Sequence, residues 1–567
     1  MLESKDEEIP NTGVNVTLHP ALNSTDDVTD EDSGAEENPS IDKLPASQLN
    51  ATALCDLAIF TNGNTVNATR KQSFTFDVVP GPSSSTKRAT IRTTTTNKPA
   101  RLSKNKVLNL KKYNWKSCEI VNPTPVWPLM FRVGMKKGRT PLEYFQQFFD
   151  NEVLLMMVTY TNQYADKRNG LGDCSEDEMF VFIAILLLSG YVTVSRRKMY
   201  WQSDKDSHND LVTNAMFRDR FDFIFSNLHV CNNDNLDKSD CFGKIHPLLR
   251  MLNDKFKQFA PHVRHHSVDE SMVPYFGSHG CKQFIKGKPI RYGFKFWCGG
   301  TSGGYIIWLE PYQGAGTCSK DYETKGMGYG VVMTYVDQLL PHVPYRIYFD
   351  NLFTSVELLH DLKERGVEAT GTIRGNRVKN CTLSPVEKMI KENRGSYEVC
   401  SDSASGISIV RWNDNNAVTV ATNFDRVQPL RSVARFSREQ KKRINVPQPN
   451  LLHSYNTHMG GIDRADQNVS LYRCSIRGKK WYFPIIAHFI DIAEQNALDL
   501  YKHNEEPIDH LTFRRVTAIL ESHKRVTTSR GCRSKRAKLD SRFDGREHYV
   551  AELPTDEVTK KKKQLKC

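Results

Sequence analysis

Residues 345–373 read YRIYFDNLFTSVELLHDLKERGVEATGTI, a pattern that sets the expected fold class. The apolar and β-branched run 345–349 is typical of a short buried strand. Apolar residues then recur on one side of an amphipathic helix over 351–365, and Gly366 supplies a stop signal. A second short strand is predicted at 370–373. Strand, helix and strand in this order favour an α/β protein.

The residues just upstream extend this prediction into a mixed α/β sheet. The segment 266–277 is short and β-leaning, and 291–298 and 304–311 are predicted strands joined by a glycine-rich turn at 299–304. Downstream, polar turns separate three further predicted strands, at 397–400, 408–412 and 417–422. These three indicate a β-rich insertion.

Helical patterns flank the predicted sheet on both sides. Before it, helices are expected from Thr140-Pro141 onward, over 176–189 and over 214–228. After Pro447, they are expected at 450–467, 483–501 and 507–522.

Charge is distributed unevenly along the 567 residues, whose formal net charge is +13. Residues 1–69 hold 13 acidic and 2 basic side chains, whereas 70–116 hold 1 acidic and 12 basic ones. The polar composition of 1–116 predicts disorder, as does that of the basic tail 523–567. A basic body suits a partner with a phosphate backbone, although a pI near 9 is also common among soluble proteins.

Secretion and membrane insertion are not expected. The first ten residues, MLESKDEEIP, lack the apolar core of a signal peptide, and the longest apolar run, 179–188, is too short to span a bilayer. The thirteen scattered cysteines are therefore expected to be reduced and, in the core, to act as small hydrophobic residues.

Four aspartates are the candidate chemical groups. Asp269 lies in an extended segment, Asp350 ends a predicted strand, and Asp463 and Asp466 are three residues apart on a predicted helix. Carboxylates held together bind hard cations such as Mg²⁺ or Mn²⁺, and two such ions can activate and stabilise the oxygens of a phosphodiester. Taken singly, Asp350 is better explained as a helix N-cap and Asp466 as a solvated helix charge.

Histidines near Asp269 are a weaker metal candidate. His265 and His266 are adjacent, so on a strand they point to opposite faces and are not expected to bind one ion. His458 is expected to be structural.

Five motifs, in order, resemble the piggyBac transposase family. They are SVDESMVPYFG at 267–277, KGKPIRYGFK at 286–295, YFDNLFTS at 348–355, YNTHMGGIDRADQ at 455–467 and IRGKKWY at 476–482. The resemblance covers roughly residues 118–545. It includes the piggyBac-derived host proteins of animals.

The resemblance implies an RNase H-like catalytic core with a β-rich insertion, flanked by an all-helical dimerisation and DNA-binding domain. The family's catalytic aspartates fall on Asp269, Asp350 and Asp463, and a further aspartate of the last helix falls on Asp466. It also implies two divalent metal ions, cut-and-paste transposition at TTAA sites with hairpinned transposon ends, and a homodimer. Only Cys532 and Cys567 lie beyond residue 500, so the family's cysteine-rich end-reading domain is not expected here.

With the resemblance, the expected boundaries can be set along the whole chain. The helical region occupies 117–264 and 471–522, and the catalytic core 265–373 and 447–470. The insertion occupies 374–446, and the disordered tails 1–116 and 523–567.

Basic and aromatic residues near the aspartates are the candidate DNA contacts, since cations neutralise phosphates and aromatic rings stack on bases. An ordinary exposed strand and an exposed charged turn explain the same residues. The candidates are Lys282, Lys286, Lys288, Arg291, Lys295, Arg477, Lys479, Lys480 and Trp481. A short basic run, Arg533, Lys535, Arg536 and Lys538, resembles a nuclear import signal and predicts a nuclear protein.

Three functions remain open at this point. The first is a transposase that cuts and rejoins double-stranded DNA at transposon ends and TTAA targets. The second is a domesticated descendant that binds DNA in the nucleus but no longer transposes. The third is an interaction protein acting through its acidic tail.

Overall fold

A computed structural model describes residues 113–128, 138–286, 288–314, 317, 319–378, 381–437 and 440–522, and the backbone of three strands nearer the N-terminus. The chain divides into two units, Met1–Leu110 and Lys111–Cys567.

The first unit contains an antiparallel meander of β1 (Val14–His19), β2 (Leu54–Thr61) and β3 (Asn64–Ala68). These three strands lie within the segment 1–116, for which the sequence predicts disorder. Their sequences carry a signal that average composition hides, because apolar residues alternate in VNVTLH and dominate LCDLAIFT. The rest of the predicted disordered segment up to residue 112, and the tail 523–567, lie outside the described residues.

A ten-stranded mixed sheet organises the second unit. Its strands are β4 (Trp115–Lys116), β5 (His265–Pro274), β6 (Lys282–Phe284), β7 (Tyr292–Thr301), β8 (Ile306–Pro311), β9 (Arg346–Phe349), β10 (Glu368–Thr372), β11 (Tyr397–Asp402), β12 (Ile407–Asn413) and β13 (Ala417–Thr422). Their order is β4-β11-β12-β13-β10-β9-β5-β7-β6, with β8 also paired to β7. The strand triplet β5, β9 and β10 is parallel, and every other pairing in this sheet is antiparallel. The predicted insertion strands therefore continue the same sheet through β13 and β10.

A separate antiparallel ribbon follows the sheet, formed by β14 (Arg431–Ser437) and β15 (Lys442–Gln448). Sequence patterns did not predict it, because charged residues interrupt its alternation. One of its faces packs on a small hydrophobic cluster that includes Trp412, Val446 and Leu451.

Thirteen α-helices lie in the described residues of the second unit. Before β9 they are α1 (Pro141–Phe145), α2 (Asn151–Lys167), α3 (Glu176–Ser189), α4 (Asp210–Ala215), α5 (Arg218–Asn227), α6 (His246–Gln258) and α7 (Met327–Val336). After it they are α8 (Val356–Glu364), α9 (Val386–Met389), α10 (Asn450–His458), α11 (Gly461–Leu471), α12 (Phe483–Asn504) and α13 (His510–Ser522). A single large hydrophobic cluster runs from the helices into the sheet.

The helix predicted at 176–189 is confirmed with the same bounds, because a capping box between Ser175 and Glu178 starts it and nearly every side chain is buried. The helix predicted over 450–467 is wrong as a single element, since Gly460-Gly461 divides it into α10 and α11. The helices α6 and α7 were not predicted.

The turn predicted at 299–304 is displaced. Strand β7 continues through Gly299 and Gly300 to Thr301 before the chain reverses. A Cβ at Gly299 would lie 2.2 Å from the ring of Tyr335. A Cβ at Gly300 would lie 2.3 Å from the Tyr305 carbonyl oxygen. The two glycines therefore allow close packing of an aromatic ring and of neighbouring backbone rather than forming a turn.

None of the described helices is long and apolar enough to cross a membrane.

Candidate active site

Two of the predicted aspartates follow paired residues of neighbouring parallel strands. Strand β5 pairs with β9 so that Val268 lies opposite Phe349. Asp269 and Asp350 come directly after these two residues, on strands spaced about 4.8 Å apart. The register of the sheet thus brings together two carboxyl groups that are far apart in the sequence.

Helix α11 adds two more aspartates from a third part of the chain. A Cβ at Gly461 would lie 2.4 Å from the Thr301 carbonyl oxygen and 2.5 Å from Ser267 Oγ, so the helix begins in close contact with β5 and β7. One turn further on, Ser271 Oγ donates a 2.6 Å hydrogen bond to Asp466 Oδ1. The side chain of Asp463 is 68% exposed.

The Lys288 ammonium lies among these acids. Its Nζ is 3.7 Å from Glu270 Oε1 and 3.8 Å from Asp463 Oδ1. Burial alone would lower the pKa of Lys288, but the charges of Asp269, Glu270, Asp463 and Asp466 raise it. Lysine and acids therefore form one electrostatic cluster, which we call the carboxylate site.

Burial is the largest cause of the raised pKa values of aspartates in the carboxylate site. It raises the pKa of Asp269 to about 8, with a further contribution from the Glu270 charge. Burial also raises the pKa of Asp466 to about 6, against the hydrogen bond from Ser271. The pKa of Asp350 is raised by burial as well, although the Leu352 backbone N–H opposes the shift. The site is therefore short of positive charge.

The donor set fits a hard divalent cation in its chemistry, because all of its ligand atoms are carboxylate oxygens. The Oε2 atom of Glu270 is also buried, and it has no hydrogen-bond partner among the described residues. Within the described ranges, however, no three His, Cys, Asp or Glu side chains are arranged as a ready metal-binding group. Side-chain movement, including that of Lys288, would have to accompany binding of an ion.

The simpler explanations of single aspartates do not hold. Ser355, not Asp350, caps α8, and Asp350 Oδ1 instead accepts from the Leu352 N–H in the preceding turn. Asp466 is half-buried and bonded to Ser271 rather than solvated. Both carboxylates face the site instead of serving a local helix.

The histidines occupy separate environments, as predicted. His265 stacks on His458 with ring centroids 3.8 Å apart. His266 is buried on the opposite face, where its Nδ1 lies 2.7 Å from the Tyr335 hydroxyl. All three are packing residues of the site's surroundings.

Some of the predicted DNA contacts lie at the surface. Lys286, Arg291, Arg477 and Lys479 are exposed. Lys282 is half-buried, and its Nζ donates to the Gly277 carbonyl oxygen at 2.9 Å.

The other predicted DNA contacts are turned inward. Lys288 belongs to the carboxylate site, and Lys295 Nζ lies 3.8 Å from the centre of the Trp297 ring. Lys480 Nζ lies over the Tyr164 ring at 4.7 Å and donates to the Leu228 carbonyl oxygen. Burial lowers the pKa of Lys480 to about 7. Trp481 packs against His279, with ring centroids 4.5 Å apart.

Sequence patterns missed two neighbours of the aspartates. Glu270 directly follows Asp269, and the acidic doublet was a signal that could have suggested it. Tyr455, whose pKa burial raises to about 12, lies on α10 and feels the charges of Asp350 and Asp269. No local pattern distinguishes this tyrosine from a core residue. The predicted nuclear import run, 533–538, lies outside the described residues.

Known proteins resemble this chain in sequence. A family model described as Transposase IS4 matches residues 140–498. The chain is 39% identical to the human (Homo sapiens) PiggyBac transposable element-derived protein 3, covering 97% of this chain and 91% of that protein. It is 36% identical to the human PiggyBac transposable element-derived protein 2, covering 94% and 87% respectively.

A solved structure shares the fold. A cryo-EM structure of a piggyBac transposase synaptic complex with hairpin DNA superposes with a TM-score of 0.56 and 23% identity, covering 68% of this chain and 80% of that one. The predicted resemblance is confirmed: this chain belongs to the piggyBac transposable element-derived protein family.

Proposed function

We propose that this protein is a piggyBac-type transposase that cuts and rejoins double-stranded DNA at TTAA sites with a triad of Asp269, Asp350 and Asp463. The observation that carries the proposal is the parallel register of β5 and β9. In that register Val268 lies opposite Phe349, and Asp269 and Asp350 are the residues that follow them.

An RNase H-like core is part of the proposal. Strands β5, β7 and β8 form an antiparallel meander, and β9 and β10 add in parallel on the other side of β5. The last acidic helix, α11, packs on β5 and β7. This arrangement supports a core in which the central strand and its parallel neighbour each supply a carboxylate.

Two divalent ions, when bound, would supply Lewis-acid stabilisation of the oxygens around the reacting phosphorus. Asp269, Asp350 and Asp463 would hold them, with Asp466 as a further ligand. Ser271 orients Asp466 through its hydrogen bond, and Gly461 fixes the distance between α11 and the sheet. Water, or a DNA 3′-hydroxyl, attacks a phosphodiester in line in such a reaction.

The DNA contacts proposed around the site are the exposed cations Lys286, Arg291, Arg477 and Lys479. The solved relative is a complex with hairpin DNA, which supports a DNA substrate here. A homodimer, magnesium or manganese as the ion, and the nucleus as the location belong to the same proposal.

The test is cleavage of TTAA-containing plasmid by the whole chain with Mg²⁺ or Mn²⁺. The wild type and the exposed control Asp254→Asn should cut, and Asp350→Asn should not. Equal cutting by all three proteins, or by none of them, contradicts the enzyme proposal.

A second function is DNA binding without strand cleavage, as in a domesticated transposase. It is favoured by Lys288, which lies among the acids where a cation would otherwise bind. This function predicts salt-dependent DNA binding with no cutting, and no rise in melting temperature on adding Mn²⁺. A rise that is lost in Asp350→Asn would favour the enzyme.

A further inference from the structure

The β14–β15 ribbon stands apart from the main sheet and carries an unbalanced positive charge. Residues 431–448 hold six basic side chains and one acidic one, Glu439. The structure describes five of the basic residues, Arg431, Arg435, Lys441, Lys442 and Arg443. Four of the five cations are exposed. Such a concentration of exposed positive charge attracts polyanions.

The ribbon has one packed face and one open face. Its register pairs Val433 with Val446, and Val446 is buried in the small hydrophobic cluster below. The alternate pairs, which include Ala434 with Asn445 and Phe436 with Arg443, face outward, and Phe436 is 57% exposed. The packed face thus anchors the ribbon, while the open face is available to a partner.

A cleft of about 690 Å³ lies between β14 and helix α10. Arg431, Arg435, Gln448, His453, Asn456 and Thr457 line it, and none of the described lining residues is acidic. Asp414 Oδ2 lies 2.9 Å from Arg435 Nε, but the same carboxylate also forms an ion pair with Arg394. One acid shared by two arginines leaves the cleft with excess positive charge.

Helix α10 connects this cleft to the carboxylate site. His453, Asn456 and Thr457 face the cleft, whereas Tyr455 feels the charges of Asp350 and Asp269. The chain then passes through Gly460 into α11, which bears Asp463 and Asp466. A ligand bound in the cleft would therefore be separated from the aspartates of the carboxylate site by helix α10.

We propose that the β14–β15 ribbon and the cleft beside it form a binding element for duplex DNA, with the cleft taking the phosphate backbone and the open face of the ribbon entering the major groove. The dimensions fit, since seven-residue strands extend about 24 Å and a two-stranded ribbon is accommodated by a groove about 12 Å wide. Arg443 and Asn445 on the open face are side chains that read guanine and adenine edges. The inference rests on the proposed DNA function but adds a contact surface to it.

The experiment measures binding of the whole chain to a fluorescein-labelled DNA duplex without divalent ions, at roughly 50 to 200 mM salt. The test variant is Arg431→Ala/Lys442→Ala/Arg443→Ala. The matched control, Lys205→Ala/Lys388→Ala/Lys391→Ala, removes the same charge from exposed positions elsewhere. The test variant should bind about tenfold or more weakly, and its salt slope should be smaller by about two to three.

The control should bind within about twofold of the wild type with an unchanged salt slope. Equal losses in the two triple variants, or stronger ribbon-dependent binding to an RNA duplex of the same sequence, would overturn the proposal. A second measurement uses the wild type alone: DNA should protect Lys441 and Lys442 from acetylation, but not Lys388 and Lys391. Absence of that protection also overturns it.

The assay separates this inference from the proposed enzyme function, because no cleavage is needed. Ribbon-dependent binding by a protein that never cuts DNA would support the inference and defeat the catalytic proposal. If the protein cuts DNA but its binding does not depend on the ribbon, the catalytic proposal is supported and the inference is overturned.

Discussion

The carboxyl group of Asp269 is buried in the folded protein. In the part of the chain that the structure describes, no neighbouring positive charge fully compensates the negative charge of Asp269. Its side chain is 9% exposed, and the nearby Glu270 adds a like charge. Because the folded pKa of about 8 lies well above the ordinary value, the folded state holds a proton that the unfolded chain releases near pH 4. The contribution of Asp269 to stability is therefore greatest below pH 4 and is lost as the pH rises to about 8.

Asp269 should make the free energy of unfolding depend on pH. In the absence of divalent ions, the free energy of unfolding of the wild type should fall between pH 5 and 8. Asp269→Asn should reduce that fall by about 1–3 kcal/mol, less than the full shift would give at ~1.4 kcal/mol per pKa unit, because structural relaxation and water penetration reduce the cost of a buried charge. Urea unfolding at both pH values measures it. Asp254→Asn is the exposed control, and the same pH slope in both variants would argue against a buried, protonated Asp269.

Helix α11 depends on the glycine pair that precedes it. A side chain at Gly461 would meet the Thr301 carbonyl oxygen and Ser267 Oγ, whereas a Cβ at Gly460 would meet nothing within 4 Å. Neither glycine has a positive φ, so the close approach at Gly461, rather than backbone strain, requires a glycine there. The absence of a side chain at Gly461 therefore determines the position of α11, which carries Asp463 and Asp466.

Adjacent substitutions test that placement. Gly461→Ala should lower the free energy of unfolding by about 1–3 kcal/mol, as overpacking does, and should weaken DNA cleavage because α11 moves away from β5. Gly460→Ala should leave stability unchanged or slightly increased. Thermal melts and plasmid cleavage report the two effects. Equal behaviour of the two alanine variants would show that the helix does not need this contact.

At the scale of the whole molecule, a buried ionic network joins distant helices of the second unit. Arg514 of α13 is 1% exposed and contacts Asp491 and Glu494 of α12 at 2.8 and 3.1 Å. Its Nε also donates to the Leu187 carbonyl oxygen of α3. The network links helices that precede and follow the sheet-forming segments in the sequence, so the helical part of the fold closes only once α12 and α13 pack against α3.

Removing the arginine should therefore be severe. Arg514→Met leaves two buried carboxylates without their cation and should cost ~3–5 kcal/mol of unfolding free energy. Arg515→Met, at the exposed neighbouring position, should change it by less than ~0.5 kcal/mol. Chemical denaturation of both variants decides the question. A small loss for Arg514→Met would mean that apolar packing alone holds α13.

Much of the candidate site was predictable from motifs in the sequence. The strand at 345–349, the helix at 176–189 and the set of Asp269, Asp350, Asp463 and Asp466 all depend on short, local patterns. Periodicity did not predict β14 and β15, or the break at Gly460-Gly461, because those features depend on what each segment packs against. The role of Lys288 was also not predictable, since a lysine in a basic stretch appears solvated until its neighbours are known.

The sequence by itself determined many of the helices and strands and the four candidate aspartates, because hydrophobic period and side-chain chemistry are local properties. Only the tertiary structure decided which of these residues meet. The Val268–Phe349 register, the contact of Gly461 with the sheet and the Lys288 ammonium between Glu270 and Asp463 join segments up to about two hundred residues apart. Such contacts arise from the packing of the whole chain, which no short window of sequence contains.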